Sequence, residues 1–204
     1  MRNFDKEYDS ISRIEFIQND GLGEETIVLL HGISSGSDSW SNQVDALATH
    51  ASVLAWNAPG YGKSEQIEQE MPTALDYSQR LLTLLESKNI DRIHLVGHSL
   101  GALIAAGFAS KYPTKVSKLI LVNPAQGYGE FEAVKQDEVA KMRPKLLRTL
   151  GGAEMARQRS SALLFDASED KVALLEKIME RITIEGFEKS SRLLAHDSIH
   201  HYLA

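Results

Sequence analysis

Apolar and polar positions change rhythm several times along this 204-residue chain. From Ser12 to Gln18, Ile14 and Phe16 alternate with Arg13 and Glu15, as in a strand with one buried face. Asn19 to Gly23 is a turn. Thr26-Ile27-Val28-Leu29-Leu30 and Ser52-Val53-Leu54-Ala55-Trp56 are unbroken apolar runs, the pattern of strands covered on both faces. Ile93-His94-Leu95-Val96 and Lys118-Leu119-Ile120-Leu121-Val122 read the same way. Between them lie helical stretches: Trp40 to Ala48, Thr73 to about Lys88, and Ala102 to Ala109, the last ending near Tyr112-Pro113. Thr73 with Asp76 resembles an N-terminal capping pair. Strands alternating with helices predict an α/β fold with a mostly parallel sheet.

After Asn123 the pattern becomes charged and helix-forming. Gly127-Tyr128-Gly129 reads as a flexible stretch. Helices are predicted over 133–150, with Pro144 as a kink, and then over 153–164, 168–182 and 184–195. Val172, Leu175, Ile178 and Ile182 set the apolar face of the third. A second reading makes 162–170 a short strand with an acid-bearing loop, and 181–186 another strand.

Composition narrows the classes. A formal net charge of −6 and no Lys/Arg cluster argue against nucleic acid as the partner. The chain has no Cys, which removes disulfides, thiolate metal sites and a Cys nucleophile. The polar N-terminus lacks the apolar stretch of a signal peptide, and no apolar run approaches membrane-spanning length. The expectation is a cytoplasmic protein with no membrane partner. No metal or organic cofactor is suggested.

Chemistry concentrates at the strands' C-terminal ends, where open α/β sheets bind ligands. His31-Gly32, Asn57-Ala58-Pro59-Gly60, Ser99 and Asn123-Pro124 all sit there. Ser99 lies in Gly97-His98-Ser99-Leu100-Gly101, between a strand and a helix, the setting of a nucleophile elbow. The pentapeptide alone arises by chance in roughly 7% of chains this long, so the convergence of four segments matters more. Gly60 and Gly62 do not form a phosphate-binding loop, because the upstream glycine is absent.

Three segments in order, Leu30-His31-Gly32-Ile33-Ser34-Ser35 with Trp40, Pro59-Gly60-Tyr61-Gly62-Lys63-Ser64, and the Ser99 pentapeptide, resemble the α/β-hydrolase fold, in its capped esterase and carbon–carbon-bond hydrolase branch. The resemblance implies an incomplete core over 1–125 and a helical cap over 126–204. It implies Ser99 as nucleophile, with the backbone N–H groups of Ile33 and Leu100 as the oxyanion hole, acting on a small-molecule ester or C–C bond. His31 is expected to brace the oxyanion loop and Asn57 a neighbouring loop. His98 is expected to point away from Ser99. Trp40 and Tyr128 are read equally as substrate-facing or as packing. Arg143, Arg148, Arg157 and Arg159 fit a solvated helix face, with contact to an acidic substrate as the alternative.

A serine hydrolase needs an acid and a histidine base, which in this family follow the nucleophile in that order. Neither of the family's last two strands is visible after Val122. The expectation is a fragment lacking acid and base, with an exposed sheet edge that promotes self-association. Two alternatives stand beside it: a compact hydrolase using Asp166 or Asp170 with His196, and a non-catalytic ligand-binding protein that keeps the cleft.

Overall fold

The computed structural model describes residues 4–203. Six strands form one sheet: β1 (Glu7–Asp9), β2 (Ile14–Asn19), β3 (Thr26–Leu30), β4 (Ser52–Trp56), β5 (Ile93–His98) and β6 (Val116–Val122), in the order β1-β2-β4-β3-β5-β6. β1, β2 and β4 pair antiparallel; β4, β3, β5 and β6 pair parallel. The mostly parallel α/β architecture expected from the strand–helix alternation is therefore present. β1 has no counterpart in the sequence reading. It is three residues long and largely exposed, so no hydrophobic rhythm marks it.

Strand parity divides the core into two layers. Ile17, Leu29, Val53 and Ala55 point to the face covered by α1 (Ser41–Leu47). Phe16, Val28, Leu54 and Leu95 point to the other face, packed against α2 (Ala74–Ser87) and α3 (Leu100–Lys111). Helix α2 starts with the expected capping box, in which Thr73 and Asp76 satisfy each other's end of the helix. Helix α3 is buried from Leu100 to Phe108, hence its small, apolar composition.

Beyond β6 the chain is helical: α4 (Ala133–Leu163), α5 (Glu169–Met179) and α6 (Ile184–His196). Gly151, at φ 74° and ψ 168°, breaks α4 into the two helices read from the sequence. The alternative strands over 162–170 and 181–186 do not form. The first is the end of α4 and an exposed loop in which Phe165 is fully exposed. The second is the α5–α6 junction, where Ile178, Met179 and Ile182 are buried at helical spacing. Gly127-Tyr128-Gly129 is not a loose segment. Tyr128 and Gly129 donate backbone hydrogen bonds to Leu194 and Asp197, and Gly127 bridges to Ser198. Asp197 in turn accepts from the Ala74 amide at 2.7 Å, tying the end of the helical layer to the start of α2, and residues 199–201 pack against α3.

The helical layer is fastened to the sheet by buried polar contacts. Arg181 reaches Glu15 at 2.7 and 2.9 Å, and Glu15 is almost wholly buried. Lys189 donates to the carbonyls of Glu68 and Gln69, and Thr183 to that of Gly60. Gly60 (φ 85°) and Gly186 meet backbone to backbone, so close that a Cβ on Gly186 would fall 2.2 Å from the Gly60 carbonyl oxygen. On the opposite side, β6 is the sheet edge among the described residues. Its Ile120 (48% exposed) and Val122 (42% exposed) face the α1 side, but α1 does not extend over them.

Candidate active site

Ser99 sits between β5 and α3 at φ 52° and ψ −116°. That is a conformation L-residues adopt only under constraint, at a cost of about 1–3 kcal/mol. The neighbouring backbone supplies the constraint. Ser99 N–H donates to Val122 O at 3.0 Å, and Ser99 O accepts from Ala102, Leu103 and Ala125. A Cβ at Gly97 would lie 2.3 Å from Gly101 O, and one at Gly101 would lie 2.3 Å from Leu30 O. Both glycines are therefore dictated by the sharpness of the turn. The serine hydroxyl makes no hydrogen bond among the described residues, and it faces a cleft.

The loop after β3 runs beside this elbow. His31 is fully buried and neutral: Nε2 accepts from Ala58 N–H at 3.0 Å, so Nδ1–H donates to Gly32 O at 2.8 Å. Burial, opposed by that hydrogen bond, pushes its pKa down to about 4. Tyr61 packs edge-on to the ring and donates its hydroxyl to Ile33 O at 2.7 Å. Asn57 binds Ser37 N–H and donates to Glu15. His31 and Asn57 thus hold loops in place, as read from the sequence. The backbone N–H groups of Ile33 and Leu100 have no acceptor among the described residues. Leu100 opens α3, where the helix dipole favours negative charge.

Two cavities meet at Ser99. One, of about 510 Å³, runs along Gly32–Ser35, Trp40 and His98 to Leu164, Leu175 and Ile178 of the helical layer. The other, of about 270 Å³, is walled by Ala125–Tyr128, Phe131 and Leu194. Arg143 lines both. Trp40 and Tyr128 therefore each border a cavity at Ser99. His98, expected to point away from Ser99, borders the same cavity as Ser99. Strand alternation puts it on the α1 face beside Val122, and the cleft opens on that uncovered face. Burial lowers its pKa, and no hydrogen bond joins it to Ser99.

The four arginines separate. Arg148 pairs with Glu188, and Arg157 with Glu154 and Glu176, on the helical surface. Arg143 and Arg159 line the larger cavity. Ser34, in the segment that carried the family resemblance, lines it too, whereas nothing in the sequence singled out Lys171, because cleft walls assembled from distant segments leave no local pattern. His196 is exposed, bonds Gln136 and borders a different groove with Met71 and Lys141. Asp166 pairs with Lys171 and Asp170 is exposed. The structure does not bring His196, Asp166 or Asp170 together with Ser99.

A mostly parallel sheet carrying a strained serine at the tip of a strand–helix elbow, under a helical layer, defines the α/β-hydrolase class. The chain belongs to that family: the family model for the alpha/beta hydrolase fold matches residues 25–195. A 2-hydroxy-6-oxononadienedioate/2-hydroxy-6-oxononatrienedioate hydrolase from Paraburkholderia phymatum is 33% identical over 182 residues, covering 83% of this chain and 62% of that protein. The Escherichia coli K12 enzyme of the same name is 31% identical over 189 residues, covering 87% of this chain and 64% of that one. The chain thus spans less than two thirds of the length of these curated relatives. Among solved structures, a hydrolase from Pseudomonas aeruginosa superposes with a TM-score of 0.77 at 22% identity, covering 98% of this chain and 75% of that one. The enol-lactonase from Burkholderia xenovorans gives 0.74 at 20%, covering 96% and 76%. At those identities the structural likeness concerns the fold.

Proposed function

We propose that this chain carries the nucleophile, the oxyanion hole and the cap of a serine hydrolase for a small ester or C–C bond substrate. Ser99 Oγ attacks the carbonyl carbon, and the N–H groups of Ile33 and Leu100 receive the oxyanion. Residues 1–125 form the core and 126–204 the cap over it. The observation that carries this reading is the strained φ/ψ of Ser99, imposed by two glycines that tolerate no side chain. The relatives' names, hydrolases of a dienedioate, support C–C bond cleavage alongside ester hydrolysis.

Among the described residues, none of the histidines weighed as a base is hydrogen-bonded to Ser99. His31 is occupied on both nitrogens, His98 makes no bond to Ser99, and His196 borders another groove. We expect hydrolysis of p-nitrophenyl acetate that depends on Ser99 but is slower than that of the E. coli relative by about 10⁴-fold or more. Comparison with Ser99→Ala checks this. A rate matching the relative would mean that a base is present. A rate unchanged in Ser99→Ala would favour the ligand-binding alternative.

We also propose that β6 joins a second copy of the chain through its open edge. The apolar Ile120 and Val122 beside that edge support this.

A further inference from the structure

The chain carries more acids than bases, 28 against 22. Yet the charged residues lining the two cavities at Ser99 are Arg143, Arg159 and Lys171, with no Asp or Glu. Lys171 is neutralised by Asp166. Arg143 and Arg159 have neither an ion pair nor a hydrogen bond among the described residues. Both are half-buried. Desolvation of Arg143 and the Arg159 charge both push the Arg143 pKa below the usual arginine value. Two like charges sharing an apolar-walled cleft without counter-charge destabilise the empty protein. A cavity wall with two free guanidinium groups and no acid is built to accept negative charge.

We propose that Arg143 and Arg159 form a carboxylate-binding subsite in the larger cavity, making Arg143 the residue that selects substrates bearing a terminal carboxylate. This deepens the hydrolase reading and rests on it for the word substrate. The planar guanidinium fork matches two carboxylate oxygens at once. Leu164, Leu174, Leu175 and Ile178 then contact the carbon chain between the carboxylate and the reacting carbonyl. Because Arg143 borders both cavities, it stands where the acid end and the remainder of a substrate divide at Ser99. Arg148 and Arg157, paired on the outer surface, take no part.

Calorimetric titration of the full chain with adipate and with its neutral counterpart adipamide tests the subsite without any turnover. Adipate should bind at least tenfold more tightly than adipamide. Arg143→Met should remove that preference, Arg143→Lys should restore part of it, and Arg148→Met should leave it intact. Thermal unfolding of each variant checks that the fold is retained; if Arg143→Met does not fold, Arg159→Met gives the same reading from the other guanidinium. Equal affinity for adipate and adipamide, or undiminished adipate binding in folded Arg143→Met, overturns the proposal. Inorganic phosphate binding more tightly than adipate overturns the carboxylate assignment. Labelling of Ser99 by a fluorophosphonate, run in parallel, separates the two readings. Arg143-dependent adipate binding without labelling leaves the subsite standing and removes the hydrolase; labelling without adipate binding does the reverse.

Discussion

At the scale of single residues, His31 shows how a side chain beside the chemistry can matter without taking part in it. Its ring is spent on two loops, donating to Gly32 and accepting from Ala58. Burial holds its pKa near 4, against 6.5 for an exposed histidine. Between those values the unfolded chain takes up a proton that the folded chain refuses. Stability therefore rises with pH across this window and is lost as pH falls from 6.5 toward 4, by up to about 3 kcal/mol. Urea midpoints measured from pH 7 to 4 should show that slope, and His31→Gln should flatten it. The bracing role was expected from the resemblance that the Leu30–Ser35 segment carries. The burial that makes it pH-sensitive was not, because nothing local indicates that Tyr61 covers the ring.

At the scale of elements, helix periods and turn chemistry were read from the chain almost to the residue. The Thr73–Asp76 box, the Gly151 break and the face bearing Leu175 and Ile178 are local features. The junction between α5 and α6 is different. It is held by Arg181 on Glu15, 166 residues away in sequence. Replacing Arg181 by Met leaves Glu15 buried with only Asn57 and the Lys63 amide as donors. We expect a loss of about 2–3 kcal/mol, below the usual figure for a buried pair because the guanidinium is partly solvated. Chemical denaturation checks the magnitude. Limited proteolysis should then cut first near the α5–α6 junction, since that is where the layer loses its hold on the sheet.

At the scale of the whole molecule, the sheet is unevenly covered. α1 shields Ile17, Leu29 and Ala55, but the same face over Ile120 and Val122 stays open. β6 also leaves one side of its backbone unpaired among the described residues. Edge strands of this kind associate unless charges or bulges blunt them. Lys118 is the one charged side chain on the strand. Sedimentation velocity should show concentration-dependent dimers or larger species, and Ile120→Lys with Val122→Glu should shift the chain toward monomer. A stable monomer at all concentrations would contradict the proposed self-association.

Apart from β1, the sequence by itself determined the order of the main strands and helices, the mostly parallel sheet, the elbow and its serine, because hydrophobic rhythm and glycine spacing are local consequences of strand, helix and turn geometry. It also fixed four arginines as candidates without ranking them. Only the tertiary structure decided among them. Helical phase turned Arg148 and Arg157 toward Glu188, Glu154 and Glu176, while the packing of α4 placed the half-buried Arg143 and Arg159 in the wall of the cavity that reaches Ser99. The same packing carried His196 into a separate groove and left His98 in the cleft. Which charges meet a reacting atom depends on distances between segments far apart in the chain, and those distances are set by how the layers dock.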